Sequence, residues 1–134
     1  MMRRLFVALL ALALVSGPAL AVPPLAKPKL IAVYFYADWC PNCKVLSPQF
    51  ARARTDADLD EKGVLFVTMN ITNAATIHQS ILLASALGID KFVQAQGSAT
   101  GYVAILDAKS KKELVRFDRE SSSDAIAQGI GSRL

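Results

Sequence analysis

The chain has only two cysteines, and they stand three positions apart where an apolar run gives way to a stretch with helical spacing. The run Leu30–Tyr36 is continuously apolar, β-branched or aromatic, which predicts a buried strand. It is followed closely by Cys40-Pro41-Asn42-Cys43. A thiol pair between a strand and a helix can cycle between dithiol and disulfide, so this segment predicts redox chemistry. A structural disulfide is disfavoured, because a two-residue gap closes almost no loop.

The first 21 residues have the layout of a secretory signal peptide. Arg3 and Arg4 precede the apolar run Leu5–Val15, and Ala19-Leu20-Ala21 matches a small-residue cleavage site. As a helix the apolar run would span about 16 Å, whereas a hydrocarbon core is about 30 Å thick. We therefore predict a signal peptide over 1–21 and a periplasmic or secreted protein without stable membrane insertion, with a retained anchor as the alternative.

The charge of the chain gives little information about partners. The formal net charge is +4, and two of the positive charges, Arg3 and Arg4, belong to the predicted signal peptide. The remaining charges are balanced and dispersed along the chain. We therefore expect neither nucleic acid nor an anionic membrane as a partner.

The remainder of the chain predicts alternating strands and helices. Residues 22–29 hold three prolines and predict an extended lead, and 30–134 predict one domain. After the first strand we predict a helix from Pro41 to about Arg54, a strand over Val64–Asn70, a helix between caps Asn73 and Gly88, a loop over 88–101, strands over Tyr102–Leu106 and Glu113–Phe117, and a helix within Ser121–Leu134. In the second helix, Ile77, Ile81 and Ala84 share one face.

These elements predict an α/β fold with a mixed four-stranded sheet in the order β-α-β-α-β-β-α. A helical crossover makes the first two strands parallel, and a short turn makes the last two antiparallel. Helices are expected on both faces of the sheet.

This order, with Cys-x-x-Cys after the first strand, resembles the thioredoxin fold. The family's residues recur at positions 34–48: Ala37, Asp38, Trp39, Cys40, Cys43, Lys44 and Pro48. The motif Tyr-Ala-Asp-Trp-Cys most resembles the corresponding motif in the thioredoxin-like C-terminal domain of the transmembrane thiol–disulfide interchange reductase of bacterial periplasms. The resemblance covers about residues 30–120 and implies an exported thiol–disulfide oxidoreductase.

The sequence departs from the thioredoxin pattern at two positions. Thioredoxins carry a buried acidic residue six positions before the first cysteine, where this chain has Tyr34. They also carry a cis-proline before the third strand, where this chain has Gly101 after Thr100, and no proline follows Pro48. The substrate-docking surface is therefore expected to differ from that of the family.

The resemblance implies a role for each site residue. Cys40 would be the exposed nucleophile and Cys43 the shielded thiol that resolves the mixed disulfide. The residues expected to tune the thiols or to line the substrate surface are Trp39, Pro41, Asn42, Lys44, Thr100 and Gly101. Pro41 and Asn42 carry no charge and the only histidine is His78, which together predict an intermediate or reducing potential. His78 itself is expected on a solvated helix face.

The implied reaction needs no cofactor beyond the redox-active disulfide and no metal ligand. Its partners would be protein thiols or disulfides and an upstream thiol electron donor, and the protein is expected to be a monomer. Two alternatives remain open. Two thiolates can hold Cu(I), so a copper- or metal-handling protein is possible. A non-catalytic binding module would keep the fold and only a structural disulfide.

Overall fold

The computed structural model describes residues 26–134, so the predicted signal peptide lies outside the described residues, as does the first half of the predicted extended lead. The elements are β1 (Leu30–Tyr36), α1 (Pro41–Asp56), β2 (Val64–Asn70), α2 (Ala74–Leu87), α3 (Asp90–Gln96), β3 (Tyr102–Asp107), β4 (Glu113–Asp118) and α4 (Ser123–Gly131). The predicted fold class is confirmed, and β1 and β2 have the predicted bounds.

One predicted element is wrong, because the stretch expected to be a loop over 88–101 contains the short helix α3. Ile89, Phe92 and Val93 are spaced as one helical face and pack into the core that also holds Val33 and Phe35 of β1. Gly88 and Gly97, which have positive φ, bound this helix at its two ends. These flanking glycines and several polar residues gave the segment the composition of a loop.

The sheet has the strand order β2-β1-β3-β4. The pair β1 and β2 is parallel, while β1 with β3 and β3 with β4 are antiparallel, as predicted for the first and last pairs. Strand β1 is therefore hydrogen-bonded on both sides, and its C-terminal end leads straight to the cysteine pair.

Each face of the sheet has its own core, because successive side chains of a strand point to opposite faces. Ala32 and Tyr34 face a core that includes Leu46 of α1 and Ile126 and Ile130 of α4. Val33 and Phe35 face the other core, with Ala84 of α2 and the apolar side of α3. The layering fixes α1, and with it the cysteine pair, against one face of β1.

Helix α2 has the predicted caps, but of its predicted apolar face it buries only Ala84. Asn73 caps the helix in a reciprocal capping box, and Gly88 ends it in the left-handed conformation. Ile77 and Ile81 are 40% and 55% exposed. The helix instead buries Ser80 and Ala84, and the Ser80 hydroxyl donates to the Asn70 carbonyl at 3.0 Å. Small side chains let the helix approach β2 closely.

Within residues 26–134, no helix combines the length and the hydropathy needed to cross a bilayer.

Candidate active site

The cysteine pair lies at the beginning of α1, as predicted. Cys40 is the N-cap residue, and its Sγ accepts a hydrogen bond from the Cys43 N–H at 3.2 Å. Pro41 occupies the first turn, where its missing N–H leaves no helical bond unmade. The two cysteines are disulfide-bonded, with their Cα atoms 5.3 Å apart. When the pair is reduced, the unpaired N–H groups and the dipole of α1 favour negative charge on the Cys40 sulfur.

The exposure of Cys40 is smaller than expected for a nucleophile. Cys40 is 3% exposed and Cys43 is 0% exposed, so the expected order holds but both residues are buried in the disulfide form. The surrounding candidates Pro41, Asn42 and Lys44 are all exposed. These exposed residues form a rim around the pair, and Cys40 is the cysteine with the larger exposed fraction.

Trp39 lies on that rim and is 57% exposed. Its role on a substrate surface stays a prediction. Its indole N–H donates to the Thr72 carbonyl at 3.4 Å, and the backbone N–H of Asp38 donates to the Thr72 hydroxyl at 2.9 Å. Thr72 is itself held by Asn70, whose side-chain oxygen accepts from both its hydroxyl and its N–H. The loop after β2 thus positions the residues that precede Cys40.

Thr72 was not among the predicted site residues. The only sequence signal for it is the mostly polar run Asn-Ile-Thr-Asn, which begins at the last residue of β2. Strands β1 and β2 are parallel and paired in register, so their C-terminal ends meet at the same edge of the sheet. That topology would have placed Thr72 next to Trp39.

Gly101 packs against the active-site turn in a conformation that few residues can adopt. Its φ is +87°, and a Cβ added to it would lie 2.6 Å from the Asn42 Cβ and 3.3 Å from the Cys40 Sγ. The Gly101 N–H donates to the Phe35 carbonyl at 2.8 Å, which ties this loop to the end of β1. Thr100 is half-buried beside it. The predicted neighbourhood of Gly101 and the cysteine pair is therefore present.

Tyr34 fills the position of the family's buried acid with a neutral hydroxyl. The Tyr34 hydroxyl donates to the Cys43 carbonyl at 3.2 Å and is 2.8 Å from the Ser47 hydroxyl. Burial raises the pKa of Tyr34 above its ordinary value of 10.0, against a smaller lowering by the Ser47 hydrogen bond. Tyr34 is thus uncharged at neutral pH and holds the first turns of α1 onto β1.

The sequence matches the protein-family model described as Thioredoxin over residues 24–117, most of the chain. The chain belongs to the thioredoxin family. It matches none of the curated proteins with which it was compared. Together, the thioredoxin family and the disulfide-bonded pair make this chain a thiol–disulfide oxidoreductase, as predicted.

Solved structures of thioredoxin-like proteins share the fold. StoA from Bacillus subtilis is 16% identical with a TM-score of 0.53, covering 78% of this chain and 84% of that one. A thiol:disulfide interchange protein from Chlorobium tepidum TLS is 17% identical with a TM-score of 0.54, covering 80% and 81%. Thioredoxin-2 of the malaria parasite is 20% identical with a TM-score of 0.52, covering 80% and 85%. At these identities the likeness concerns the fold alone.

The residues around this thioredoxin-family site offer little to a metal ion apart from the two sulfurs. Among residues 26–134, no three His, Cys, Asp or Glu side chains come together as a metal-binding group. His78 lies exposed on α2, as predicted for a solvated helix face.

Replacing Tyr34 with phenylalanine is expected to destabilise the oxidised protein by about 1–3 kcal/mol near pH 7, because Ser47 and the Cys43 carbonyl lose a partner. The raised pKa makes the neutral hydroxyl the favoured form in the folded state. Its contribution is therefore complete below about pH 10 and is lost as the pH rises through the raised pKa.

Urea unfolding of both proteins from about pH 7 to about pH 11 measures this difference. The difference in the free energy of unfolding between the wild-type protein and Tyr34→Phe should decrease above about pH 10. The matched control is Tyr36→Phe, which removes an exposed hydrogen bond to Asp38 and should cost less. A stability difference that stays constant up to about pH 11 would contradict the raised pKa of Tyr34, and no difference at about pH 7 would show that its hydroxyl does not stabilise the site.

Proposed function

We propose that this protein is an exported, reductase-type thiol–disulfide oxidoreductase that transfers electrons from its Cys40–Cys43 dithiol to disulfides of other proteins. The observation that carries the proposal is the position of Cys40 as the N-cap of α1, with its Sγ accepting the Cys43 N–H. A sulfur in that position is stabilised as a thiolate, and the thiolate is the attacking species in disulfide exchange.

The reaction has two exchange steps. The Cys40 thiolate attacks one sulfur of a substrate disulfide, forming a mixed disulfide and releasing the other substrate sulfur as a thiolate that takes up a proton. Cys43 then loses its proton and attacks the Cys40 sulfur. The substrate's second thiol leaves, and the Cys40–Cys43 disulfide forms. Two electrons have passed to the substrate, and a partner dithiol must return two electrons to the protein for the next cycle.

The groups around the pair support a reducing or intermediate potential. A strong oxidant needs its reduced form heavily stabilised, for example by an imidazolium beside the thiolate. Here the intervening residues are uncharged and His78 lies on α2, packed on the opposite face of the sheet from α1. The guanidinium of Arg119 contacts Asn42, but it is exposed, so water weakens its field at Cys40.

The equilibrium of the pair with reduced and oxidised glutathione tests this proposal. Trp39 is the only tryptophan and precedes Cys40 directly, so its fluorescence should report the redox state of the pair. We expect a reduction potential at or below about −180 mV, in the range from protein disulfide isomerase to thioredoxin. A potential near −120 mV, the strong-oxidant end of the scale, would contradict a reductase role.

The layout of residues 1–21 supports export to a periplasm or the exterior. The Chlorobium protein with the same fold is named as a thiol:disulfide interchange protein, which agrees with protein disulfides as the substrate class. We propose that the protein works as a monomer, since both reacting thiols come from one chain.

A further inference from the structure

A guanidinium group lies beside the active-site turn. Arg119 belongs to the turn between β4 and α4, and its Nη1 is 3.5 Å from the side-chain oxygen of Asn42, a residue 77 positions away in sequence. Gly101 lies beside both Asn42 and the cysteine pair, because a Cβ added to it would stand 2.6 Å from the Asn42 Cβ and 3.3 Å from the Cys40 Sγ. Arg119, Asn42, Gly101 and Cys40 thus form one continuous group at the substrate side of the dithiol.

The charge of Arg119 is not neutralised by its neighbours in sequence. Asp118 and Glu120 flank it, but the ion pairs found among residues 26–134 join Arg54 to Asp60 and Arg116 to Glu113. The Asp118 carboxylate instead accepts the backbone N–H of Glu120 at 2.9 Å. The Arg119 side chain extends to the active-site turn and remains exposed.

The shape of the guanidinium favours one kind of ligand. A guanidinium carries five N–H donors in a planar fork that matches a carboxylate. The long contact to Asn42 involves one nitrogen of that fork, Nη1. Two other charged side chains lie near the dithiol: Lys44 is exposed on α1, and the Asp38 carboxylate accepts the Tyr36 hydroxyl.

We propose that Arg119 determines substrate specificity by binding a carboxylate that lies next to the reacting cysteine of the substrate protein. This inference rests on the proposed reductase function and names the preferred substrates, disulfides flanked by aspartate or glutamate. The carboxylate holds the substrate while the Cys40 thiolate forms the mixed disulfide, and the two exchange steps proceed as described above. Arg119 takes no part in electron or proton transfer.

Three disulfide-bonded peptides that differ only in a Glu, Gln or Lys residue beside the cysteine test this role. With the wild-type protein at low ionic strength, we expect kcat/KM for the Glu peptide to exceed that for the Lys peptide about two- to five-fold, the size of an exposed ion pair. The difference should lie in KM, since Arg119 acts in binding. Arg119→Gln should abolish the preference, and Arg119→Glu should reverse it.

Arg52→Gln is the matched control. It removes the same charge from the exposed side of α1, about 18 Å along the helix from Cys40, and should keep the wild-type preference. If Arg119→Gln slows all three peptides equally, the guanidinium acts on the Cys40 thiolate and the specificity role is wrong. It is also wrong if the preference survives in Arg119→Gln or is absent from the wild-type protein.

The Gln peptide distinguishes a failure of the specificity role from a failure of the proposed reductase function. Reduction of the Gln peptide without any charge preference would contradict only the role of Arg119. If the wild-type protein reduces none of the peptides although Cys40 and Cys43 are shown to be in the dithiol form, the proposed function is contradicted. The specificity role is then contradicted as well.

Discussion

Cys43→Ser will accumulate a covalent mixed disulfide between Cys40 and the substrate protein, and its multiple-turnover activity will fall to the uncatalysed background. Cys40 at the N-cap of α1 can still attack a substrate disulfide, but no second thiol remains to release the product. The adduct should appear on non-reducing electrophoresis with insulin as the substrate, and it should disappear when dithiothreitol is added.

Cys40→Ser is the matched variant and should form no adduct. Cys43 is 0% exposed, and its Sγ is directed at the Phe35 carbonyl 3.8 Å away, so a substrate disulfide cannot reach it. Both single variants should therefore lose turnover, while only Cys43→Ser traps substrate. Sustained turnover by Cys43→Ser, or adducts with Cys40→Ser in equal amount, would contradict the assignment of roles.

Gly101→Ala is expected to destabilise the oxidised protein by an amount on the order of 2–4 kcal/mol. The new Cβ would stand 2.6 Å from the Asn42 Cβ, in a backbone conformation with φ of +87° that side chains rarely adopt. The active-site turn and the loop before β3 must therefore separate, and the position of Cys40 changes with them. Urea unfolding measures the stability, and the turnover of insulin reduction should fall in parallel.

Two further variants distinguish the effect of the clash with Asn42 from the effect of backbone strain. Gly97 also has positive φ, at +61°, but a Cβ there meets nothing within 4 Å, so Gly97→Ala should carry backbone strain without a clash, about 1–3 kcal/mol. Adding Asn42→Gly to Gly101→Ala removes the clashing Cβ and should restore part of the loss. Equal losses at positions 97 and 101 would show that Asn42 and Gly101 are not coupled.

Restoring the family's proline at position 101 should not repair the site. Proline requires φ near −65°, and its nitrogen has no hydrogen to donate to the Phe35 carbonyl. The absence of the family proline is thus accommodated by the packing of Gly101 beside Asn42.

The strongly patterned parts of the fold were predictable from the sequence. The apolar runs at 30–36 and 64–67, the position of Pro41 and the caps of α2 each have one favoured structure, and all four are confirmed. The interior of α2 was not predictable from spacing, because the helix buries Ser80 and Ala84 rather than its isoleucines. A hydroxyl that finds a carbonyl acceptor can be buried where a pattern of hydrophobic residues predicts an apolar side chain.

Some residues of the candidate site were also predictable from the sequence, and others were not. Cys40, Cys43 and Trp39 could be named because local spacing and the family wording converge on one short segment. Thr72 and Arg119 reach the site from loops far away in sequence, and single residues in polar loops carry no pattern. The coupling of Gly101 to Asn42 depends on a backbone angle, which the sequence shows only as a glycine.

The rate at which the wild-type protein reduces insulin, with dithiothreitol as electron donor, tests the central claim most directly. Because the dithiol begins a helix of a thioredoxin-type fold, with its first sulfur accepting a helix N–H, we expect a rate well above that of dithiothreitol alone. A rate equal to the background, from protein in which Cys40 and Cys43 are shown to be reduced, would contradict it.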